Sequence, residues 1–302
     1  MVDWDSNRTI SPSGYAAELT SFLAANTLRA YFLTCQQYAV CRENCLERKE
    51  SSQHRRSKLK PLPGGSKSQV PRKPVANLLL RSIPEREYEI LEPHFEPFDL
   101  ASQEILREPG EKIDCAYFLN SGLCASVVLT TDGRSVEVAV IGKEGMIGAA
   151  VAVGLHRSPH RIIVQVPGNS LRIASEALEQ LLPDLPELQR QLGRYVMVRG
   201  MQVAQIAACN RLHEIEQRLA RWLLMCRDRI DSDWLPVTHE FLAQMLGTGR
   251  PSVSLAAGML QRAGLIENLR GSVKILNRKE LENSACECYR AIQHFQNAVS
   301  KS

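Results

Sequence analysis

The stretch Thr238 to Leu276, THEFLAQMLGTGRPSVSLAAGMLQRAGLIENLRGSVKIL, decides the fold. Thr238 stands as the N-cap of a first helix, in which Phe241, Leu242, Met245 and Leu246 fall at i, i+1, i+4 and i+5. That is one stripe of a 3.6-residue period. Gly247 ends the helix, because glycine tolerates the left-handed conformation just past a helix end. A second helix opens near Thr248 or Gly249 and carries Pro251 in its first turn, where no intrahelical N–H is needed. Val253, Ala256, Ala257 and Leu260 form its inner face, and the two alanines let it lie close to the first helix. Arg250, Ser252, Ser254 and Leu255 are left facing outward near its start. Gly264 closes it. Leu265 and Ile266 begin one strand, Val273 and Ile275 alternate in the next, and Arg270-Gly271 makes the turn between them. Helix, tight turn, helix and hairpin is the order of a winged helix-turn-helix, which sets its second helix in the major groove of DNA. An arginine at the tip of the wing reaches a phosphate.

The chain has 302 residues, enough for about two domains with their own cores. A net charge of +4 excludes a histone-like polycation, yet is compatible with a site-specific regulator whose positive charge is local. No apolar run approaches the length of a membrane span. The opening MVDWDSNRT lacks the basic start and apolar core of a signal peptide, so a cytoplasmic location is expected. Nine cysteines in that compartment are free thiols or ligands rather than disulfides. The seven histidines are scattered, no glycine-rich phosphate loop precedes a helix, and no paired carboxylates sit in a pocket motif. The chain is therefore not expected to be an enzyme.

Residues 1–75 stand apart. Helical character over 15–48 rests on Phe22, Leu23, Leu28, Tyr31, Phe32 and Leu33. The following SSQHRRSKLKPLPGGSKSQVPRKP has the composition of a solvated linker, whose charge is the weaker argument for nucleic-acid contact. From about 98 to 173 short apolar runs (CAYFL, CASVVLT, SVEVAVI, RIIVQV, SLRI) alternate with turn signals, the pattern of a β-sandwich or barrel. Residues 187–230 read as one long helix behind Pro183 and Pro186. Its stripe of Leu192, Val196, Val203, Ile206, Leu212, Ile215 and Leu219 suits pairing with a second copy, with packing on the β-region as the alternative. Gly193 and Gly200 would allow two helices to approach closely.

The segment THEFLAQMLGTGRPSVSLAAGMLQRAGLI, with RLARWLLMCRDRI before it and CECY after it, resembles the DNA-binding end of the Crp/Fnr transcription factors. ILREPGEKIDCAYFLNSG and DGRSVEVAVIGKEGMIG resemble the cyclic-nucleotide-binding β-roll of the same family, and the likeness covers roughly three quarters of the chain. The resemblance implies an α+β fold in four parts: an N-terminal extension over 1–75, a β-roll over 76–186, a dimerisation helix over 187–230 and a winged helix-turn-helix over 231–302. It implies a homodimer on double-stranded DNA, reading an inverted repeat with half-sites about one helical turn apart, with RNA polymerase as a further partner. Arg250 takes the position that pairs with guanine in the family, a contact worth about 1–3 kcal/mol of discrimination. Ser252 and Ser254 lie beside it. Pro251 stands where Glu is common and Leu255 where Arg is common, so a less polar, partly thymine-directed readout is expected. His239, Thr248 and Arg270 are candidate phosphate contacts. Gly249 and Pro251 are also the features that favour a module that no longer reads DNA.

In the family's nucleotide pocket a Gly-Glu step binds ribose and phosphate, and an Arg further on neutralises the phosphate. Here Ile147-Gly148 is followed by Ala149, and His160 and Arg161 stand near the expected Arg, with Arg157 close by. Losing the ribose hydrogen bond costs about 1.5–3 kcal/mol. Cyclic AMP is therefore not the expected ligand; an unknown small-molecule effector, or a roll that binds nothing, is. Fumarate–nitrate regulators hold an iron–sulfur cluster, for which Cys35, Cys41 and Cys45 with Cys115 or Cys124 would be the ligands. Their spacing departs from that group's pattern, and on a helix Cys35 points roughly 80–120° away from Cys41 and Cys45, so structural cysteines are preferred and no metal is expected. Cys286-Glu287-Cys288 is too short a pair to chelate one metal well and reads as C-terminal packing. His213, beside Glu214 and Glu216, reads as a dimer-face or surface residue.

Overall fold

The structure, a computed structural model, describes residues 75–300. The helix expected over 15–48, the basic linker, and Cys35, Cys41 and Cys45 lie outside the described residues.

Eight strands form two antiparallel four-stranded sheets. One has the order β1 (Glu96–Leu100), β8 (Gly168–Ala174), β3 (Cys115–Leu119), β6 (Met146–Ile147). The other has the order β2 (Ile105–Arg107), β7 (Arg161–Val166), β4 (Leu123–Leu129), β5 (Ser135–Ile141). Alternate side chains point to opposite faces of a strand, and here both faces are used. Tyr117, Leu119, Cys124, Ile141, Ile162 and Val164 meet between the sheets. Their neighbours Ala116 and Phe118 carry the helices on one outer face, and Leu123, Ala125 and Val127 pack under helices on the other. Burial on both faces explains why these strands read as nearly continuous apolar runs. Gly122 turns β3 into β4 at φ +83°, and a Cβ there would stand 2.7 Å from the Val166 carbonyl oxygen.

On the first sheet lie α1 (Leu78–Ser82), α2 (Glu85–Leu91) and α3 (Ser175–Leu181). Buried Asn77 caps α1 and donates from Nδ2 to the carbonyls of Leu119 and Gly145, pinning the helix to two roll segments. The long helix α4 (Pro186–Leu212) starts where the Glu87 carboxylate accepts from the Glu187 and Leu188 amides at 2.9 and 2.8 Å. An anion at unsatisfied N–H groups is the favourable arrangement for a helix start.

The expected single helix over 187–230 is two. It ends at Leu212 and restarts as α5 (Ile215–Ile230). The restart is a capping box: the Glu214 side chain accepts from the amide of Gln217, and the Gln217 side chain accepts from that of Glu214. The expected stripe also divides. Leu192, Ile206 and Leu219 are buried within the chain, whereas Val196 and Leu212 are exposed. The face that α4 leaves open is instead Gly193, Val196, Met197, Gly200, Met201, Ala204, Ala207 and Ala208.

Beyond α5 come β9 (Trp234–Leu235), α6 (His239–Leu246), α7 (Arg250–Arg262), β10 (Ile266–Leu269) and β11 (Ser272–Ile275). The strands form a sheet of order β10-β11-β9. Then follow α8 (Arg278–Ser284) and α9 (Cys288–Ser300), which packs back along α4. Among the described residues no helix is long and apolar enough to cross a membrane.

Candidate DNA-reading surface and effector cavity

The helix-turn-helix is built from local signals. Thr238 Oγ1 accepts from the Phe241 amide at 3.1 Å and starts α6. Gly247 ends it in the left-handed conformation, φ +60°. Gly249 is the N-cap of α7, so Arg250 is its first residue. Val253, Ala256, Ala257 and Leu260 are buried against the neighbouring helices. Arg250, Pro251, Ser254 and Leu255 are exposed, Ser252 and Thr248 are half-buried, and Arg270 stands exposed at the wing turn. Leu255 is 61% exposed, on the face of α7 opposite its buried side.

His239 does more than the sequence suggested. Its Nδ1 lies 3.0 Å from Ser254 Oγ and its Nε2 3.2 Å from Asn268 Oδ1. Asn268 in turn donates to the Ala257 carbonyl. One imidazole thus links the first helix, the recognition helix and the wing. Ser254 shares that hydrogen bond rather than standing free.

The end of α6 and the turn after it also meet the roll. A cleft is lined by Thr248, Gly249 and Arg250 on one side and by Gly133, Arg134 and Val136 of the β4–β5 hairpin on the other. A Cβ on Gly247 would stand 3.1 Å from Val136 Cγ2. Arg218 of α5 donates to the Leu246 carbonyl. Nearby, Glu137 on β5 is 5% exposed and accepts from Trp222 Nε1 at 2.9 Å and from Gln165 Nε2 at 2.6 Å. Burial pushes its carboxyl up to about 7, against the pull of those two hydrogen bonds. Arg229 of α5, its side chain 4% exposed, donates to Glu144 at 2.6 Å. The contacts that join roll and reading domain thus include the buried Glu137 carboxylate, the Arg229–Glu144 ion pair and the Lys143–Asp231 ion pair.

The expected effector pocket is a cavity of about 100 Å³ lined by Arg107, Ile113, Ile147, Gly148, Ala149, Ala150, Ser158 and His160, among others. Small-molecule sites usually run to about 300–1,000 Å³. Gly148, at φ +88°, opens the single turn Ala149–Val153. Arg161 does not serve this cavity as expected: its guanidinium makes two hydrogen bonds to the Glu108 carboxylate, at 3.0 and 2.8 Å. Arg157 donates to the Gly110 carbonyl. His160 bonds Ser126 Oγ at 3.1 Å, and burial, then the charge of Arg199, hold its imidazole below the usual value. The cation that does line the cavity is Arg107, on β2. It donates to the Leu106 and Cys115 carbonyls and its Nε is unpartnered. Only the fold reveals it, because nothing local distinguishes an arginine at the end of a three-residue strand.

Of the cysteines considered as cluster ligands, Cys124 is fully buried between the sheets and desolvation pushes its thiol up to about 12. It is chemically quiet. Cys115 is half-buried on β3.

A two-sheet roll, a long helix and a winged helix-turn-helix define the architecture of a Crp/Fnr-type transcription regulator. Residues 97–184 match the model of the cyclic nucleotide-binding domain, and residues 217–284 match the Crp-like helix-turn-helix domain. Together these span just over half of the chain, which belongs to the Crp/Fnr family of transcription regulators. The global nitrogen regulator of Synechocystis sp. is 24% identical over 201 residues, covering 63% of this chain and 87% of that protein. The transcriptional regulator LdrP of Thermus thermophilus is 26% identical over 198 residues, covering 61% of this chain and 94% of its own length. Among solved structures, FixK2 of Bradyrhizobium japonicum superposes with a TM-score of 0.56 at 16% identity, over 64% of this chain and 98% of that one. The regulator CLP of Xanthomonas campestris does so with a TM-score of 0.54 at 18% identity, over 64% and 99%.

Proposed function

We propose that the protein acts in the cytoplasm as a homodimer that reads an inverted repeat in double-stranded DNA. Arg250 contacts guanine, and Leu255 with Ser252 sets the neighbouring preference. The observation that carries this reading is the recognition helix itself: a fully buried inner face behind Arg250, Pro251, Ser254 and Leu255, all exposed. Thr248, Arg270 and the helix N-terminus are the phosphate contacts; His239 acts through the bracket it makes with Ser254 and Asn268. The dimer seam is the open face of α4, where Gly193, Met197, Gly200, Ala204 and Ala207 recur at alternating spacings of four and three. RNA polymerase is the expected downstream partner. The β4–β5 hairpin packs on α6 and faces the start of α7 across a cleft.

Cyclic AMP is not the effector. Ala149 offers no ribose acceptor, Arg161 is held by Glu108, and the cavity is smaller than a nucleotide site. Titration calorimetry with cyclic AMP should show no sub-micromolar binding. The central test is selection of genomic fragments by the purified protein, with Arg250→Ala in parallel. An enriched inverted repeat that the variant loses supports the proposal; equal enrichment by both proteins overturns the role of Arg250.

A further inference from the structure

Four metal-ligating side chains converge outside both the effector cavity and the recognition helix. Cys209 lies one turn before the end of α4, and His213 is the residue that caps it. Cys286 lies in the turn after α8, and Cys288 is the first residue of α9. One ligand atom from each falls within 4.8 Å of all the others. The Sγ atoms of Cys209 and Cys286 are 3.4 Å apart, and Cys288 Sγ is 3.6 Å from His213 Nδ1. All three thiols are buried. From the sequence, Cys286 and Cys288 read as packing and His213 as a dimer-face or surface residue, and Cys209 is not singled out, because the two halves of the set are 77 residues apart.

We propose that Cys209, His213, Cys286 and Cys288 form a mononuclear tetrahedral site for a divalent cation of the zinc class, clasping the end of the long helix to the C-terminal helix.

The spacing matches such a site. With Zn–S near 2.3 Å and Zn–N near 2.0–2.1 Å, a tetrahedron has S···S edges of about 3.8 Å and S···N edges of about 3.5 Å. The two separations above lie within a few tenths of an ångström of these, and the set as a whole, spread over up to 4.8 Å, would close by about 1 Å around the ion. A polynuclear cluster distributes its cysteines over separate irons and needs a wider set.

The surroundings of the four residues independently fit a bound metal. His213 turns Nδ1 toward the thiols, while its Nε2 stands 3.1 Å from Glu287 Oε1. A carboxylate on the far nitrogen is the usual partner that fixes the tautomer and orientation of a ligating imidazole. Gln205 Nε2 donates to Cys288 Sγ at 3.1 Å, a contact that favours a thiolate. Three thiolates and a divalent cation leave one negative charge. Arg221, 2% exposed and with its Nε unpartnered, is close enough for its charge to act on Cys209 and Cys286. A thiolate-bound metal with net negative charge would add to the compensation of this buried guanidinium, whose charge also acts on Glu137.

Four protein ligands leave no open position, so the site is structural rather than catalytic. It brackets the break between Leu212 and Ile215, where the chain passes from the long helix to the DNA-reading domain. Occupancy therefore governs how firmly that domain is held.

The test uses full-length protein purified under reducing conditions. Metal content is measured after dialysis, followed by displacement with Co²⁺. Wild type should retain about one zinc per chain. The cobalt form should show thiolate-to-metal charge transfer and the intense visible bands of a tetrahedral ion. A variant with Cys35, Cys41 and Cys45 all changed to Ser should behave as wild type. Cys286→Ser should lose the metal, and Glu287→Gln should weaken binding about 10–100-fold without removing a ligand. If Cys286→Ser does not fold, the wild-type cobalt spectrum and Glu287→Gln decide the matter. Wild type that takes up neither zinc nor cobalt overturns the proposal. So do metal content unchanged in a folded Cys286→Ser variant, a Cys209–Cys286 disulfide whose reduction restores no metal uptake, and iron with inorganic sulfide at these residues.

Discussion

Replacing Glu137 by Gln should make the protein more stable at alkaline pH and leave it nearly unchanged in mild acid. Glu137 sits on β5 with no water to solvate its charge, and burial raises its carboxyl from 4.5 to about 7. Between those values the folded chain keeps a proton that the unfolded chain has released. Stability therefore falls as pH rises from about 4.5 to about 7 and stays reduced above that. At about 1.4 kcal/mol per pKa unit the full loss is about 3 kcal/mol. The amide removes the ionisation and keeps an acceptor for Trp222 Nε1. The Gln165 amide can turn so that its Oε1, unpartnered in the native arrangement, accepts from the new donor. At about pH 8, Glu137→Gln should therefore gain about 2–3 kcal/mol, a rise of about 5–10 °C in melting temperature for a chain of this size. At about pH 5 the two proteins should melt within about 2 °C of each other. The assay is thermal unfolding of both proteins across this range, and the changing gap between the curves isolates the one carboxyl. Parallel curves, or a variant less stable than wild type at about pH 8, would refute the reasoning. The second result would mean that the ionised carboxylate gains more from Trp222 and Gln165 than it loses by burial.

Further outcomes follow at four other positions. Arg250→Ala should cost about 1–3 kcal/mol on the selected operator and relax preference at one base pair; Arg270→Ala should weaken all sequences alike and reduce the salt slope by about one, both measurable by fluorescence anisotropy. Met197 is 57% exposed on the open face of α4, so Met197→Asp should give a folded monomer by sedimentation velocity. Glu144→Ala strands Arg229 in the core and should destabilise by about 3 kcal/mol in urea unfolding, with Glu144→Gln costing less because a hydrogen bond survives.

The winged helix-turn-helix is legible in the chain because its signals are local. Thr238, Gly247, Pro251 and Gly264 each act on their own turn, and the elements begin and end beside them. Strand alternation identifies the roll for the same reason. Hydrophobic periodicity misleads along the long helix, since the stripe runs through residues 212–219 without interruption. The sign of the break is instead Glu214 with Gln217, a pair that matters only once a helix is known to restart there. The same stripe could face a second copy or the roll, and the roll takes Leu192 and Ile206. Long-range pairings are invisible in one sequence. Arg161 finds Glu108 across 53 residues, and Cys209 meets Cys286 only because α9 folds back along α4.

The two residues between α4 and α5, His213 and Glu214, make an elbow, and an elbow acts through the length of its arm. Sixteen residues give α5 a reach of about 24 Å. Turning that arm by about 10° carries its far end about 4 Å, slightly more than the 3.4 Å rise of one base pair. In a symmetric pair the two arms swing in opposite senses, so the separation of the recognition helices changes by up to twice that amount. A small angle set at two residues can therefore move both helices off a fixed half-site spacing while every base-contacting side chain stays as it was.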